Sequence, residues 1–313
     1  MNETGQEIRA VRRKETNFVS AVVYLHNEAG QTVAFFEKLN KELGRHFEHY
    51  EMIAVDDASI DDTAEQLRTW AEKQKIKASF TMIHMSLYQQ RESCMNAGLD
   101  AAIGDYIYEF DSVNNQYDME LVFQAYQKVL EGNDIVSICP VDSRISSKLF
   151  YRVFNHCSNS SYPLQTDAFR LVTRRAVNRV YASSEYLPFR KAAYAASGLK
   201  MTFIHFPGKG GERQKKYFLL AVDSLVLYTS AGYQISMGIT FLMACFAVLE
   251  MLYTCCIFCI GQPIEGWTTT MLVITFGFAG LFLILTIVIK YLSLILDFVF
   301  RKQRYLIEGI EKL

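Results

Sequence analysis

Two short apolar runs that each finish in carboxylates constrain this chain more than any other feature. Glu51-Met-Ile-Ala-Val55 is followed by Asp56-Asp57, and Tyr106-Ile-Tyr-Glu-Phe110 is followed by Asp111. Continuous apolar runs of this length read as strands buried on both faces. In open α/β sheets, ligands bind beyond the carboxyl ends of the strands. Two strands that both end in acids therefore point to one polar crevice. A third run, Phe18-Val-Ser-Ala-Val-Val-Tyr-Leu25, leads into His26-Asn27-Glu28. Helical patterns fill the intervals through about residue 47, to about 75, over 92–102 and over 121–130, with further strands expected at 78–85 and 134–139. Strands alternating with helices at this spacing mean βαβ units and a mostly parallel sheet with flanking helices.

Beyond Pro140 the pattern changes. An aromatic-rich amphipathic helix is expected over 146–158, a short strand at 169–172, helices over 174–181 and 188–197, and a strand at 201–206. Gly208-Lys-Gly-Gly211 reads as a flexible loop. Residues 214–228 mix apolar side chains with Lys215 and Lys216, as a helix lying in a membrane interface would. Arg304-Tyr-Leu-Ile-Glu308 is a candidate last strand returning to the head.

From Ile235 to Ile260 only Glu250 is charged, and from Met271 to Ile289 nothing is. Each run is long enough to cross a hydrocarbon core, which takes roughly 20 helical residues. Lys209, Arg213, Lys215 and Lys216 precede the first run, Arg301, Lys302 and Arg304 follow the second, and the loop between them has no Lys or Arg. The positive-inside rule then places the head and both termini in the cytoplasm of a multi-pass plasma-membrane protein. The polar first 17 residues do not read as a secretory signal. The expected organisation is an arm over 1–16, an α/β domain over 17–213, an interfacial helix over 214–230, a two-span region over 231–300 and a cytoplasmic tail over 301–313. A net charge of −1 provides no basic field for a nucleic-acid partner. Of the seven cysteines, Cys256 and Cys259 form a Cys-x-x-Cys inside an apolar run without a nearby His, which reads as buried apolar thiols rather than a metal or redox site.

In order and spacing these landmarks resemble the family 2 glycosyltransferases with a GT-A fold, most closely the branch that makes polyprenyl-phosphate sugars, as dolichyl-phosphate mannose synthase does. The likeness rests on His26-Asn27-Glu28, Val55-Asp-Asp-Ala-Ser59 (where the family has Gly in place of Ala58), Asn96-Ala-Gly-Leu-Asp-Ala-Ala-Ile-Gly-Asp105, Ser147-Lys-Leu-Phe-Tyr-Arg152, Phe169-Arg-Leu171 and the paired C-terminal apolar runs. The resemblance implies that Glu28 and Asp57 bind the nucleobase and ribose of a sugar nucleotide, with Asp56 behind them and Arg91 in the same nucleotide group. It implies that Asp111 opens an Asp-x-Asp that holds Mg²⁺ or Mn²⁺ against the donor diphosphate. Here the second acid is Val113, which leaves Asn115 as a neutral oxygen nearby. The family's acceptor-facing Asp is replaced by Ala168, beside Asp167, while Arg170 keeps its place and suits a phosphate role.

Plainer readings stand beside these. Asp61 and Asp62 suit a turn and helix cap, and Arg174 and Arg175 a solvated helix face. Lys209, Arg213, Lys215 and Lys216 suit anionic lipid as well as a lipid phosphate. The expected function is sugar transfer from a nucleotide donor, UDP-linked, to a polyprenyl phosphate, with Asp111, Arg170 and Asp167 as catalytic residues. The alternative is a catalytically degenerate homologue serving as a partner subunit in a cell-envelope glycan complex. Family analogy adds a homo-oligomer and a multi-span flippase or transferase partner.

Overall fold

The computed structural model describes residues 14–74, 78–114, 116–142, 145–157, 161–183, 189–209 and 305–313, with scattered positions between 238 and 295. The chain divides into two compact units. The first holds the sheet and takes in residues up to 151, 160–213 and 303–313; the second takes in 152–159 and 214–302. The interfacial helix expected over 214–230 lies outside the described residues, as do most of the first apolar run and about half of the second. Among the described residues no helix is long and apolar enough to cross a membrane.

The sheet has eight strands in the order β7-β5-β6-β4-β1-β2-β3-β8. They are β1 (Val19–Leu25), β2 (Tyr50–Asp56), β3 (Ser79–Met85), β4 (Tyr106–Phe110), β5 (Ile135–Asp142), β6 (Phe169–Thr173), β7 (Met201–Lys209) and β8 (Ile307–Lys312). β1 runs parallel to both β2 and β4, β2 to β3, and β5 to β7. β6 enters antiparallel between β4 and β5, and β8 is antiparallel on the outer edge of β3. The helices are α1 (Ala29–His46), α2 (Thr63–Gln74), α3 (Gln90–Ala101), α4 (Glu120–Leu130), α5 (Ile145–Cys157), α6 (Arg174–Ser183) and α7 (Arg190–Ala196).

β1 is buried along its whole length because both of its faces are covered. Successive side chains of a strand point to opposite faces. Val19, Ala21, Val23 and Leu25 accordingly join the core built by α1, α2 and α4, while Val22 and Tyr24 join the core built by α3, α6 and α7. Phe35, Phe36, Leu39 and Leu43 recur at helical spacing on α1 and are all at most 2 % exposed; each such side chain contributes roughly 1.5–3 kcal/mol by leaving water. α3 is pressed hardest onto the sheet. A Cβ at Gly98 would stand 2.9 Å from Val55 Cγ2 and closer still to Val22 Cγ1, so only glycine fits there.

Two expectations shift. The Gly208-Lys209 segment continues β7 rather than starting a loop, because parallel pairing with β5 extends past an irregularity at Pro140 to set Asp142 against Lys209. The last strand starts three residues later than the Arg304–Glu308 expected from the sequence, at Ile307–Lys312. There it pairs with β3 from Thr81 to Met85.

Candidate functional site

The chain runs β1, β2, β3 to one side and then crosses back to place β4 on the other side of β1. The reversal between β1 and β4 is the point at which open α/β sheets leave a crevice. Glu28 follows β1 and Asp111 follows β4, so both acids stand at this reversal, and Ser112 Oγ lies 3.4 Å from Glu28 Oε1. Asp56 and Asp57 close β2 next door. β6 runs the opposite way, so its beginning, with Asp167 and Arg170, is at the same edge.

Three loops after β1, β2 and β3 make one side of the crevice and are stitched together. The Asn27 main-chain N–H donates to Ser59 Oγ (3.0 Å), and the Ile60 N–H donates to Asn27 Oδ1 (2.9 Å). The Glu28 N–H donates to Thr63 Oγ1 (2.9 Å). Asp61 caps as expected, accepting from the Ala29 and Thr63 main-chain N–H groups at 3.2 and 3.1 Å. The loops after β1 and β2 and the first residue of α3 each place a non-glycine residue in the left-handed region: Asn27 at φ 53°, Ala58 at φ 50° and Gln90 at φ 68°. Such conformations cluster at ligand-binding sites, where the surrounding structure holds them in place.

The Asp57 carboxylate faces inward. The residue is fully buried, accepting from the Gln89 N–H at 2.6 Å and the Tyr24 hydroxyl at 3.0 Å. Burial and the neighbouring Asp57 charge together push the Tyr24 hydroxyl far above its ordinary range. Asp56 is also buried, accepting from the Ser59 N–H at 3.3 Å and standing 3.5 Å from His84 Nδ1. Both acids therefore brace the loops from behind, where the sequence led us to expect only Asp56 to do so.

The other side of the crevice is a buried ion network. Arg170 donates to Glu109 Oε2 (2.9 Å), Asp111 Oδ2 (2.9 Å) and Asp167 Oδ2 (3.0 Å). Arg190, on the first turn of α7, donates to Asp111 Oδ1 (2.7 Å) and Glu92 Oε2 (3.1 Å), with Glu109 at 3.5 Å. Lys191 pairs with Asp167 at 2.5 Å, and Tyr194 donates to Glu109 Oε1 at 2.5 Å. Burial works against ionising Asp111, but Arg170, Arg91, Arg190 and Lys191 outweigh it and hold its carboxyl well below the usual range. Arg91 thus acts on Asp111. Arg170 and Arg190 are 3 % and 0 % exposed, whereas the Asp111 side chain keeps 16 %. The two guanidiniums are shut away from solvent, and Asp111 is the more exposed end of the pairs they make with it.

Glu92, Glu109, Arg190 and Lys191 escaped the sequence reading. Glu109 did carry a signal, since it is a charge in the middle of a central apolar strand. Alternation puts it on the same face as Asp111, and the register sets it opposite Arg170. Arg174 is not on a solvated face; its guanidinium donates to the carbonyls of Ala102 (2.6 Å) and Gly104 (2.9 Å), closing the end of α3. Arg175 is exposed beside Asp134. Val113 is 2 % exposed and part of the core. Asn115, Arg213, Lys215 and Lys216 lie outside the described residues, and of Lys209 only the backbone is described.

Residues 20–214 match the family model described as glycosyl transferase family 2. An uncharacterized glycosyltransferase of Synechocystis is 26 % identical over 310 residues, covering 93 % of this chain and 95 % of that protein. A second, from Bacillus subtilis, is 26 % identical over 316 residues, covering 93 % and 94 %. The undecaprenyl-phosphate 4-deoxy-4-formamido-L-arabinose transferase of Edwardsiella ictaluri is 24 % identical over 230 residues, covering 68 % and 67 %. Among solved structures, a mannosyltransferase of Pyrobaculum calidifontis, in complex with GDP-mannose and Mn²⁺, aligns with a TM-score of 0.47 at 16 % identity, covering 87 % of this chain and 88 % of that one.

Proposed function

The chain belongs to glycosyltransferase family 2, and on that footing we propose that it moves a sugar from a UDP-linked donor to the phosphate of a polyprenyl lipid at the cytoplasmic face of the cell membrane. One observation carries this reading: Glu28 meets Ser112, the residue after Asp111, at the reversal between β1 and β4. The lipid acceptor is supported by the undecaprenyl-phosphate transferase named above and by the two apolar runs of the sequence. An acceptor phosphate is already anionic and needs little general-base help. Catalysis then rests on holding donor and acceptor in line and on stabilising charge on the departing diphosphate.

The divalent ion implied by the sequence resemblance does not fit the residues in place. Both Asp111 oxygens accept from buried guanidiniums, and the position two residues on is a core valine. Among the described residues no group of three His, Cys, Asp or Glu side chains could hold a metal. An ion at Asp111 would share each carboxylate oxygen with a guanidinium cation and would find no second acid beside it at Val113. What the network offers a diphosphate instead is balanced charge: Arg91, Arg170, Arg190 and Lys191 act against Glu92, Glu109, Asp111 and Asp167, so Asp111 repels phosphate oxygens less than a bare acid would. Glu28 and Asp57 would fix the nucleoside end, Asp57 through the loops it braces. Asp167, held by Arg170 and Lys191, would border the acceptor side. Lys209, Arg213, Lys215 and Lys216 would meet the lipid phosphate or anionic headgroups.

The same arginine clamp and Val113 favour a second reading, a homologue that binds nucleotide but serves as a partner subunit. Purified full-length protein is to be incubated with UDP-sugars and undecaprenyl phosphate in vesicles, with Mn²⁺ or with EDTA, and the lipid analysed by mass spectrometry. Sugar-phosphate-lipid formed in EDTA supports the proposal as stated. Nucleotide binding without transfer in either condition supports the second reading, and neither binding nor transfer refutes both.

A further inference from the structure

The chain leaves the sheet after β7 at Lys209 and rejoins it at residue 305. What it does on returning is more than covering an edge. The Leu306 carbonyl accepts from Gln89 Nε2 (2.6 Å), and the Leu306 N–H donates to Gln89 Oε1 (2.8 Å), so one amide side chain grips both polar groups of a single main-chain residue. The main chain of the same Gln89 donates to Asp57 at 2.6 Å. Farther along, Glu311 is gripped by Arg68 through two bonds, Nη2 to Oε1 at 2.7 Å and Nε to Oε2 at 3.0 Å. His84 bridges from Glu311 Oε1 (3.6 Å) to Asp56 Oδ2 (3.5 Å). The Tyr305 hydroxyl donates to Asp100 (2.7 Å), and the Leu313 N–H donates to the Phe80 carbonyl (3.0 Å).

Two separate routes thus run from the C-terminal segment to the adjacent acids behind the crevice, one ending on Asp57 and the other on Asp56. Gln89 also directly precedes Gln90, one of the three left-handed residues, so the segment bears on a helix start whose backbone is already strained.

We propose that residues 305–313 form a strap that positions the donor site: through Gln89 and His84 they hold Asp57 and Asp56, and thereby set the affinity for the nucleoside diphosphate. This rests on the donor reading above and adds a control element to it. Gln89, His84 and Glu311 act through the acids and are positioning residues. Since both apolar runs lie between β7 and the strap, any rearrangement of that part of the chain that pulls on residue 305 would loosen the donor pocket.

The test uses the full-length protein and titrations with UDP, GDP and CDP at 10 °C, with thermal unfolding of every variant alongside. Gln89→Ala removes both bonds to Leu306 yet keeps the main-chain donor to Asp57. Glu311→Gln removes the charge that His84 and Arg68 share. Because these contacts reach the nucleotide only through Asp56 and Asp57, losing them is expected to raise Kd roughly three- to tenfold, about 0.6–1.4 kcal/mol. Both variants should weaken nucleotide binding by this amount while remaining folded at the titration temperature. A role confined to edge covering would lower Tm and leave Kd unchanged, and that result overturns the strap. A wild-type chain that binds none of the three nucleotides overturns the donor reading itself, and the strap's role with it.

Discussion

Replacing Arg190 by Met tests whether the buried network is held together as a unit. Arg190 is fully buried, and its guanidinium contacts Glu92 at 3.1 Å, Asp111 at 2.7 Å and Glu109 at 3.5 Å. After the change Asp111 and Glu109 still have Arg170, and Glu109 still has Tyr194. Glu92 keeps only the main-chain N–H of residue 190, at 3.1 Å. Methionine fills most of the volume, so a cavity contributes little and the cost is that of a buried carboxylate without its cation. Breaking a buried pair from one side costs about 3–5 kcal/mol. At roughly 2–4 °C per kcal/mol for a domain of about this size, Tm measured by circular dichroism should fall by about 6–20 °C. Adding Glu92→Leu to Arg190→Met removes the stranded charge and should recover more than half of that loss, since replacing both partners of a buried pair is often neutral. A single variant within 2 °C of the parent, or a double variant no better than the single one, would show that Glu92 is not held by Arg190 and refute the reasoning.

Other outcomes follow from single positions. Ala58→Gly relieves a left-handed alanine; relief of the strain exceeds the added chain entropy, so urea unfolding should show a gain of up to about 1 kcal/mol. The pairing of His84 with Asp56, helped by Glu311, outweighs burial and the nearby Arg68 and raises its pKa above the ordinary 6.5. A raised folded-state value means that its contribution is complete below about 6.5 and fades as pH climbs through the folded value. The stability gap between the parent and His84→Gln should therefore narrow from pH 5.5 to 8.5 in urea titrations, and a gap that widens contradicts the ion pair. Burial lifts the Cys139 thiol to about 12, so it should resist iodoacetamide at pH 8 in the native protein and react on unfolding, as peptide mapping would report. Gly98→Ala overpacks α3 against Val22 and Val55 and is expected to cost about 1–3 kcal/mol in the same urea assay.

The sheet was legible because its strands are apolar runs with sharp ends. β4 falls where the sequence puts it, since Gly104-Asp105 before it and Asp111 after it leave no freedom in length. The gathering of acids at one sheet edge was legible for the same reason, as the residues that follow β1, β2 and β4 are reported by local order alone. The partners of those acids were not. Arg190 sits in Leu-Pro-Phe-Arg-Lys-Ala, which reads as a helix start with solvated cations; its burial is explained by meeting Glu92, 98 residues away in the chain, together with Glu109 and Asp111. Arg174 misled in the same way, because a pair of arginines usually faces solvent and nothing local reveals two carbonyls waiting at the end of α3. The orientation of Asp57 was equally hidden, since a residue after a strand can turn into the crevice or behind it, and Gln89 and Tyr24 decide the matter from other elements.

That β8 follows β3 only after the whole stretch from Met85 to Ile307 has a consequence for synthesis. Until residues 305–313 leave the ribosome, β3 presents Ser-Phe-Thr-Met-Ile-His-Met with one side of its ladder unpaired and no proline or lysine within it to guard the edge. Nascent chains and products of premature termination should accordingly be the species that clump, and full-length molecules should be the ones that escape it.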